Sequence, residues 1–156
     1  MSVEFISRSE QQTATVAARI SRLLEPGDTV FLKGQLGTGK TFFVRAAARE
    51  LGVVEPVTSP SYTMAQTYSG AVRIHHIDLY RLSSFQPEDI ADFEPFFEGD
   101  AITFVEWPEQ AELFLESPAL VIELDHLDEN SRRLRIKCRG EKMEKDLEKI
   151  IAEAGN

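Results

Sequence analysis

The run Gly34-Gln35-Leu36-Gly37-Thr38-Gly39-Lys40-Thr41 constrains this chain more than any other stretch. It fits the pattern G-x-x-x-x-G-K-[ST], whose context is a strand before and a helix after. Both are predicted here. Val30-Phe31-Leu32 is a short apolar strand, and residues 42–51 read as a helix that stops at Gly52, a residue suited to a left-handed cap. Glycines at 34, 37 and 39 let the backbone bend around an anion without a Cβ clash. The bent loop then turns successive N–H groups inward, and the helix N-terminus adds its positive dipole end. Lys40 supplies a full charge for the outer phosphates, and the Thr41 hydroxyl is placed to ligate Mg²⁺. Leu36, Gly37, Thr38, Gly39, Lys40 and Thr41 are therefore the candidate nucleotide-binding residues. The other reading is an ordinary strand–turn–helix.

Length and charge narrow the rest. At 156 residues the chain is expected to be one domain spanning residues 1–156. No apolar run approaches about 18 residues, so no membrane helix is predicted. The N-terminal residues lack a signal-peptide pattern, which points to a cytoplasmic protein. One cysteine, Cys138, rules out an internal disulfide, and its place on an apolar strand face predicts burial. A net charge of −9 opposes direct gripping of a nucleic-acid backbone, so any RNA connection is expected to run through a partner.

Along the chain, residues 3–6 read as a first strand, and Ser9-Glu10-Gln11-Gln12 as a capping box opening a helix to about Leu24. Glu10, at its polar start, is a candidate for the base end of a nucleotide site; plain capping is the alternative. The segment 57–62, with Thr58 and Ser59 beside Pro60, offers hydroxyls for a phosphate or a metal-bound water, or else is a Ser/Thr-rich turn. Residues 62–68 and 71–77 read as a β-hairpin around Ser69-Gly70. Its second strand ends at Asp78, a carboxylate where a strand gives out. His75 and His76 are expected to face opposite sides, one packed and one exposed. Residues 84–98 read as one or two short acidic helices with Phe93, Phe96 and Phe97 as anchors. Ile102-Thr103-Phe104-Val105-Glu106 has the form of a strand delivering an acid to Mg²⁺ beside a phosphate loop. Trp107 reads as a packing residue, and a short helix is expected over 109–115. Two further strands, 119–127 and 132–139, come next; the second alternates apolar residues with Arg133, Arg135, Lys137 and Arg139. That basic row reads as a solvated face guarding a sheet edge, with an anion or partner site as the minority reading. Arg132 and Arg133 are further candidates for the base end. An amphipathic helix over 141–154 closes the chain. The fold class predicted is α/β: helices on both sides of a mainly parallel sheet with antiparallel hairpin additions.

These motifs together resemble the TsaE (YjeE) family of small bacterial P-loop ATPases. GQLGTGKT, then Val57-Thr58-Ser59-Pro60-Ser61-Tyr62, then His76-Ile77-Asp78-Leu79-Tyr80-Arg81, then Val105-Glu106-Trp107-Pro108 follow in the family's order over about residues 1–140. Gln35 stands where the family usually has an acid, and Ser61 where threonine is frequent. The resemblance implies a three-layer P-loop NTPase fold, ATP and Mg²⁺ as cofactors, and a part in making threonylcarbamoyladenosine in tRNA. It implies TsaD and TsaB as partners, with tRNA met only through their complex. It also implies roles: Lys40 on the β- and γ-phosphates, Thr41 and Glu106 arranging Mg²⁺, Thr58 sensing the γ-phosphate, and Asp78 ordering the attacking water. Lys40, Thr58, Asp78 and Glu106 are the candidate catalytic set, with hydrolysis slow alone and raised by partners. Arg81 is a candidate finger. A small GTPase is disfavoured, because neither N-K-x-D nor a D-x-x-G after the hairpin is present. A nucleotide-controlled docking module without significant hydrolysis and a small P-loop kinase stay as alternatives.

Overall fold

The computed structural model describes residues 2–60, 64–82 and 86–155. The order of elements is β1 (Ser2–Ser7), α1 (Glu10–Ser21), β2 (Thr29–Lys33), α2 (Lys40–Glu50), β3 (Ala65–Ser69), β4 (Arg73–Asp78), α3 (Ile90–Phe93), β5 (Ile102–Glu106), β6 (Leu120–His126), β7 (Arg132–Cys138) and α4 (Glu141–Ala154). Single 3₁₀ turns flank α3 at Pro87–Asp89 and Glu94–Phe96, and another follows β5 at Pro108–Gln110. The described strands form one sheet in the order β1-β7-β6-β2-β5-β4-β3. The central four, β6-β2-β5-β4, run parallel, and antiparallel strands are added at both margins. One face carries α1, α2 and α4 over Val30, Leu32, Phe104, Ile122 and Leu134. The other is covered by the short helical segment, with Phe93, Phe96 and Phe97 against Phe31, Ile77 and Val105. The layers number three, as predicted, but the third is thin.

Local signals explain most element ends. The Ser9 side chain accepts from the Gln12 N–H and starts α1. The expected box is shifted by one residue: the Gln12 amide oxygen accepts from Arg8 N–H at 2.7 Å, not from Ser9. Gly52, at φ +94°, ends α2, and Val53 N–H reaches back to the Ala48 carbonyl as a six-to-one closure requires. α2 begins at Lys40, two residues earlier than predicted, so the lysine and threonine of the motif occupy the helix's first turn. The helix expected over 109–115 shortens to a single 3₁₀ turn. Ser61, Tyr62 and Ser84 lie outside the described residues.

Two expectations need correction. β7 is not a sheet edge: it lies between β1 and β6. Two cations of its basic row are met by acids on the neighbouring strands, Arg133 by Glu4 at 3.7 Å and Arg135 by Glu123 at 3.2 Å and Asp125 at 3.0 Å. Cross-strand pairing of opposite charge, not edge protection, accounts for Arg133 and Arg135. Second, both histidines are buried, because the sheet is covered on both faces. His75 shares a hydrogen bond with Thr67 at 2.8 Å and meets the Phe96 ring edge-on, and burial, reinforced by Arg73, holds its pKa below the usual histidine value. Cys138 is half-buried and packs against the core, and desolvation pushes its thiol pKa up.

The loop after β2 is closely fitted to the sheet. A Cβ on Gly34, at φ +148°, would stand 2.5 Å from the Leu124 carbonyl oxygen and 2.7 Å from Thr38 Oγ1. Neither neighbour is a loose side-chain end: one is strand backbone, the other is tied to the Gln35 carbonyl at 2.9 Å. Gly34→Ala is expected to destabilise the fold by about 1–3 kcal/mol, checked by urea denaturation.

Candidate nucleotide site

The parallel strands set the site. β4 and β5 end in register, with Asp78 opposite Glu106, so the two sequence motifs deliver their carboxylates side by side. β2 ends beside them and feeds the Gly-rich loop, whose helix brings Lys40 and Thr41 over the strand ends. The result is a cleft of about 630 Å³ lined by Gly37, Lys40, Thr41, Asp78 and Glu106, with Leu36, Gly39, Phe42, Ser59, Tyr80, Arg81 and Trp107 around them.

Glu106 is the most constrained group. It is 3% exposed. Thr41 Oγ1 lies 2.9 and 3.1 Å from its two oxygens, and His76 Nε2 lies 2.5 Å from Oε2. A hydroxyl and a carboxylate are thus brought together at the first turn of α2, the kind of hard-oxygen pair that Mg²⁺ takes alongside phosphate and water. His76 Nδ1 is buried with no hydrogen-bond partner among the described residues, so its contact with Glu106 is the polar anchor of that ring.

Lys40 is folded onto its own loop. Its Nζ donates to the carbonyls of Gly34 at 2.6 Å and Gln35 at 2.9 Å and sits 4.3 Å from the centre of the Trp107 ring. Burial holds its pKa below the usual lysine value, offset in part by Glu106, Asp78 and Glu109. Trp107 is held at φ +56°, a left-handed conformation that costs a non-glycine residue about 1–3 kcal/mol. That geometry turns the indole into the cleft wall against Tyr80, with ring centroids 4.9 Å apart. The sequence treats Trp107 as packing; its contact with the motif lysine depends on the strained turn before Pro108, which a linear reading does not expose.

Asp78 accepts from Tyr80 N–H at 2.9 Å and Ser59 Oγ at 3.3 Å. Desolvation pushes its pKa up, with the charge of Glu106 acting in the same direction, while Tyr80, His76 and Ser59 oppose. A carboxyl raised in the folded state keeps its proton where the unfolded chain has lost it. Folding stability is therefore expected to fall as pH rises, from the unfolded value near 4 up through the folded one. Asp78→Asn removes that slope and raises neutral-pH stability relative to the parent, readable as Tm against pH.

Thr58 stands elsewhere. It is exposed, its N–H reaches the Tyr68 hydroxyl at 3.4 Å, and it borders a shallow recess with Arg45 and Arg49 instead of the phosphate cleft. Among the described residues of that segment Ser59 is the hydroxyl that faces Asp78, one residue on from Thr58. Thr38 is buried and bonded within the loop. On the far side of the loop, Glu10, Thr13, Phe42, Asn130 and Arg132 line a second recess of about 210 Å³. Arg132 donates to the Thr38 carbonyl at 3.1 Å and to the Asp128 carbonyl at 3.2 Å, tying the β6–β7 turn to the loop. Arg133, the other base-end candidate, turns to Glu4 instead.

Comparison with known proteins agrees with this architecture. The family model described as "Threonylcarbamoyl adenosine biosynthesis protein TsaE" matches residues 7–134. This chain belongs to the TsaE family. Among curated relatives, the TsaE protein of Treponema pallidum is 36% identical over 133 residues, covering 84% of this chain and 97% of that protein. TsaE of Aquifex aeolicus is 38% identical over 137 residues, covering 85% and 94%. TsaE of Bacillus subtilis is 30% identical over 135 residues, covering 86% and 84%. The crystal structure of YdiB from Bacillus subtilis superposes with a TM-score of 0.80 at 24% identity, covering 100% of this chain and 97% of that one, a likeness of fold. The TsaE match stops before α4, so the C-terminal helix lies outside the matched residues. No helix among the described residues is long and apolar enough to cross a membrane.

Proposed function

We propose that this chain is a Mg²⁺-dependent ATP-binding protein and slow ATPase that supports a TsaD–TsaB complex in threonylcarbamoyladenosine modification of tRNA, in the cytoplasm. The observation that carries this reading is the convergence of Lys40, Thr41, Glu106 and Asp78 on one cleft at the ends of parallel strands. The donor set fits the groups assigned to it: a Cβ-free loop for polyphosphate, one lysine, and a hydroxyl–carboxylate pair for a hard cation. Bound Mg²⁺ would supply positive charge that polarises the phosphoryl oxygens.

The chain's own residues do the rest. Lys40 and the loop N–H groups hold the outer phosphates. Thr41 and Glu106 arrange the cation, directly or through water, with His76 fixing the carboxylate. Asp78, whose pKa burial pushes up, orders the attacking water, and Ser59 holds Asp78. Thr58 senses the γ-phosphate only if the 58–60 segment turns toward the cleft, a movement assigned to nucleotide or partner binding. Glu10 and Arg132 border the proposed base end.

The test is phosphate release from ATP and from GTP with Mg²⁺, by the protein alone and with purified TsaD–TsaB. ATP-selective release raised by the partners is expected. Nucleotide-dependent complex formation without release would make the chain a docking module. The absence of both release and docking would overturn the proposed activity and leave the kinase reading next.

A further inference from the structure

At the end of the sheet opposite the phosphate loop lies a second cavity, of about 280 Å³. It opens beside Gly27 and Thr29 at the start of β2, under the short helical segment that precedes β5. The length of β2 separates it from the nucleotide cleft by roughly 15 Å. Ile90, Phe93, Phe97, Phe114 and Leu115 form the apolar part of its lining. Phe114 is 37% exposed, and its neighbour Leu113 is 96% exposed. Exposed large apolar side chains grouped beside a cavity mark an interaction surface more often than solitary exposed ones do.

The rim carries one sign of charge. Glu94, Glu98 and Glu116 line it and are exposed. They belong to two acidic stretches: residues 86–100 hold six carboxylates and no lysine or arginine, and residues 109–117 hold three and none. Among the described residues Arg139 is the one cation in the lining, and it is already directed to Asp28 at 3.7 Å and to the Ser117 carbonyl at 3.4 Å. Nucleic acid and anionic lipid are repelled by such a rim. A segment with lysines or arginines around a large apolar side chain matches both its charge and the apolar part of its lining.

We propose that this groove docks a basic, apolar-anchored segment of a protein partner, the anchor seating between Phe93, Phe97 and Phe114. The site is independent of the nucleotide cleft, and both can be filled at once because they lie at opposite strand ends.

The test titrates the full chain, ¹⁵N-labelled, with a synthetic amphipathic Lys–Leu peptide and follows backbone amide shifts. Shifts are expected at residues 90–98 and 114–117, unchanged by saturating ATP. A Lys–Ser peptide of equal charge and a Glu–Leu peptide are expected to bind at least about tenfold more weakly. The paired substitutions Glu94→Lys and Glu116→Lys, on exposed side chains, are expected to weaken the Lys–Leu peptide about five- to twentyfold while leaving ATP binding intact. Phe114→Ala should remove a similar share, with far-UV circular dichroism confirming the fold. Shifts centred on the phosphate loop, equal binding of the Lys–Ser peptide, or indifference to the charge reversals would overturn the proposal. So would a dimer in sedimentation velocity that the same charge reversals abolish, since the occupant would then be a second copy of this chain. Because ATP binding is read separately, loss of this site and loss of the nucleotide reading are distinguishable.

Discussion

Replacing Lys40 with alanine is expected to weaken ATP binding about ten- to over a hundredfold, measured by isothermal titration with Mg²⁺ present. Removing a charge-assisted hydrogen bond costs about 1.5–3 kcal/mol, and each 1.4 kcal/mol is about tenfold. Two loop carbonyls and an indole face also engage this lysine. Binding therefore exchanges those contacts for phosphate, so the measured loss should fall toward the lower end of the range. Lys40→Ala protein that bound ATP as the parent does would remove the lysine from the site.

Glu106 separates structure from chemistry. Glu106→Gln is expected to fold like the parent, since the amide can accept from His76 and donate to the Thr41 oxygen. Its hydrolysis should fall at least about tenfold with a weakened Mg²⁺ dependence, because the neutral amide no longer holds the cation's shell. Glu106→Ala is expected to lose stability as well. The alanine would leave the Thr41 hydroxyl without this acceptor and His76 without a described partner on either ring nitrogen, since Nδ1 already has none. Each buried polar group so stranded costs about 1–3 kcal/mol. Urea midpoints for the two variants, beside phosphate release with and without TsaD–TsaB, separate the effects. Equal stability of the alanine and glutamine proteins would refute the structural half.

What is legible in the sequence follows from how local its signals are. Ser9 at the start of α1, Gly52 at the end of α2, the apolar run of β2 and the five residues of β5 act on their nearest neighbours, and the elements they mark begin or end within two residues of the expected positions. The phosphate loop is readable because its glycines and Lys40 answer a backbone requirement inside eight residues. What depends on distant partners is not. The cations of β7 look like an edge until β1, from the other end of the chain, pairs outside them. His76 reads as one of two alternating histidines until β5 carries Glu106 beside it. Ser59 and Thr58 differ by one position on an irregular segment, where no period assigns a face.

Trp107 is the chain's single tryptophan, and its ring is the surface on which the Lys40 ammonium rests. All indole emission from this protein thus originates beside the Gly-rich loop, in a ring whose electronic surroundings include that cation. A ligand that draws the cation from the ring is therefore expected to change the emission of the unlabelled chain, an optical gauge the molecule carries itself.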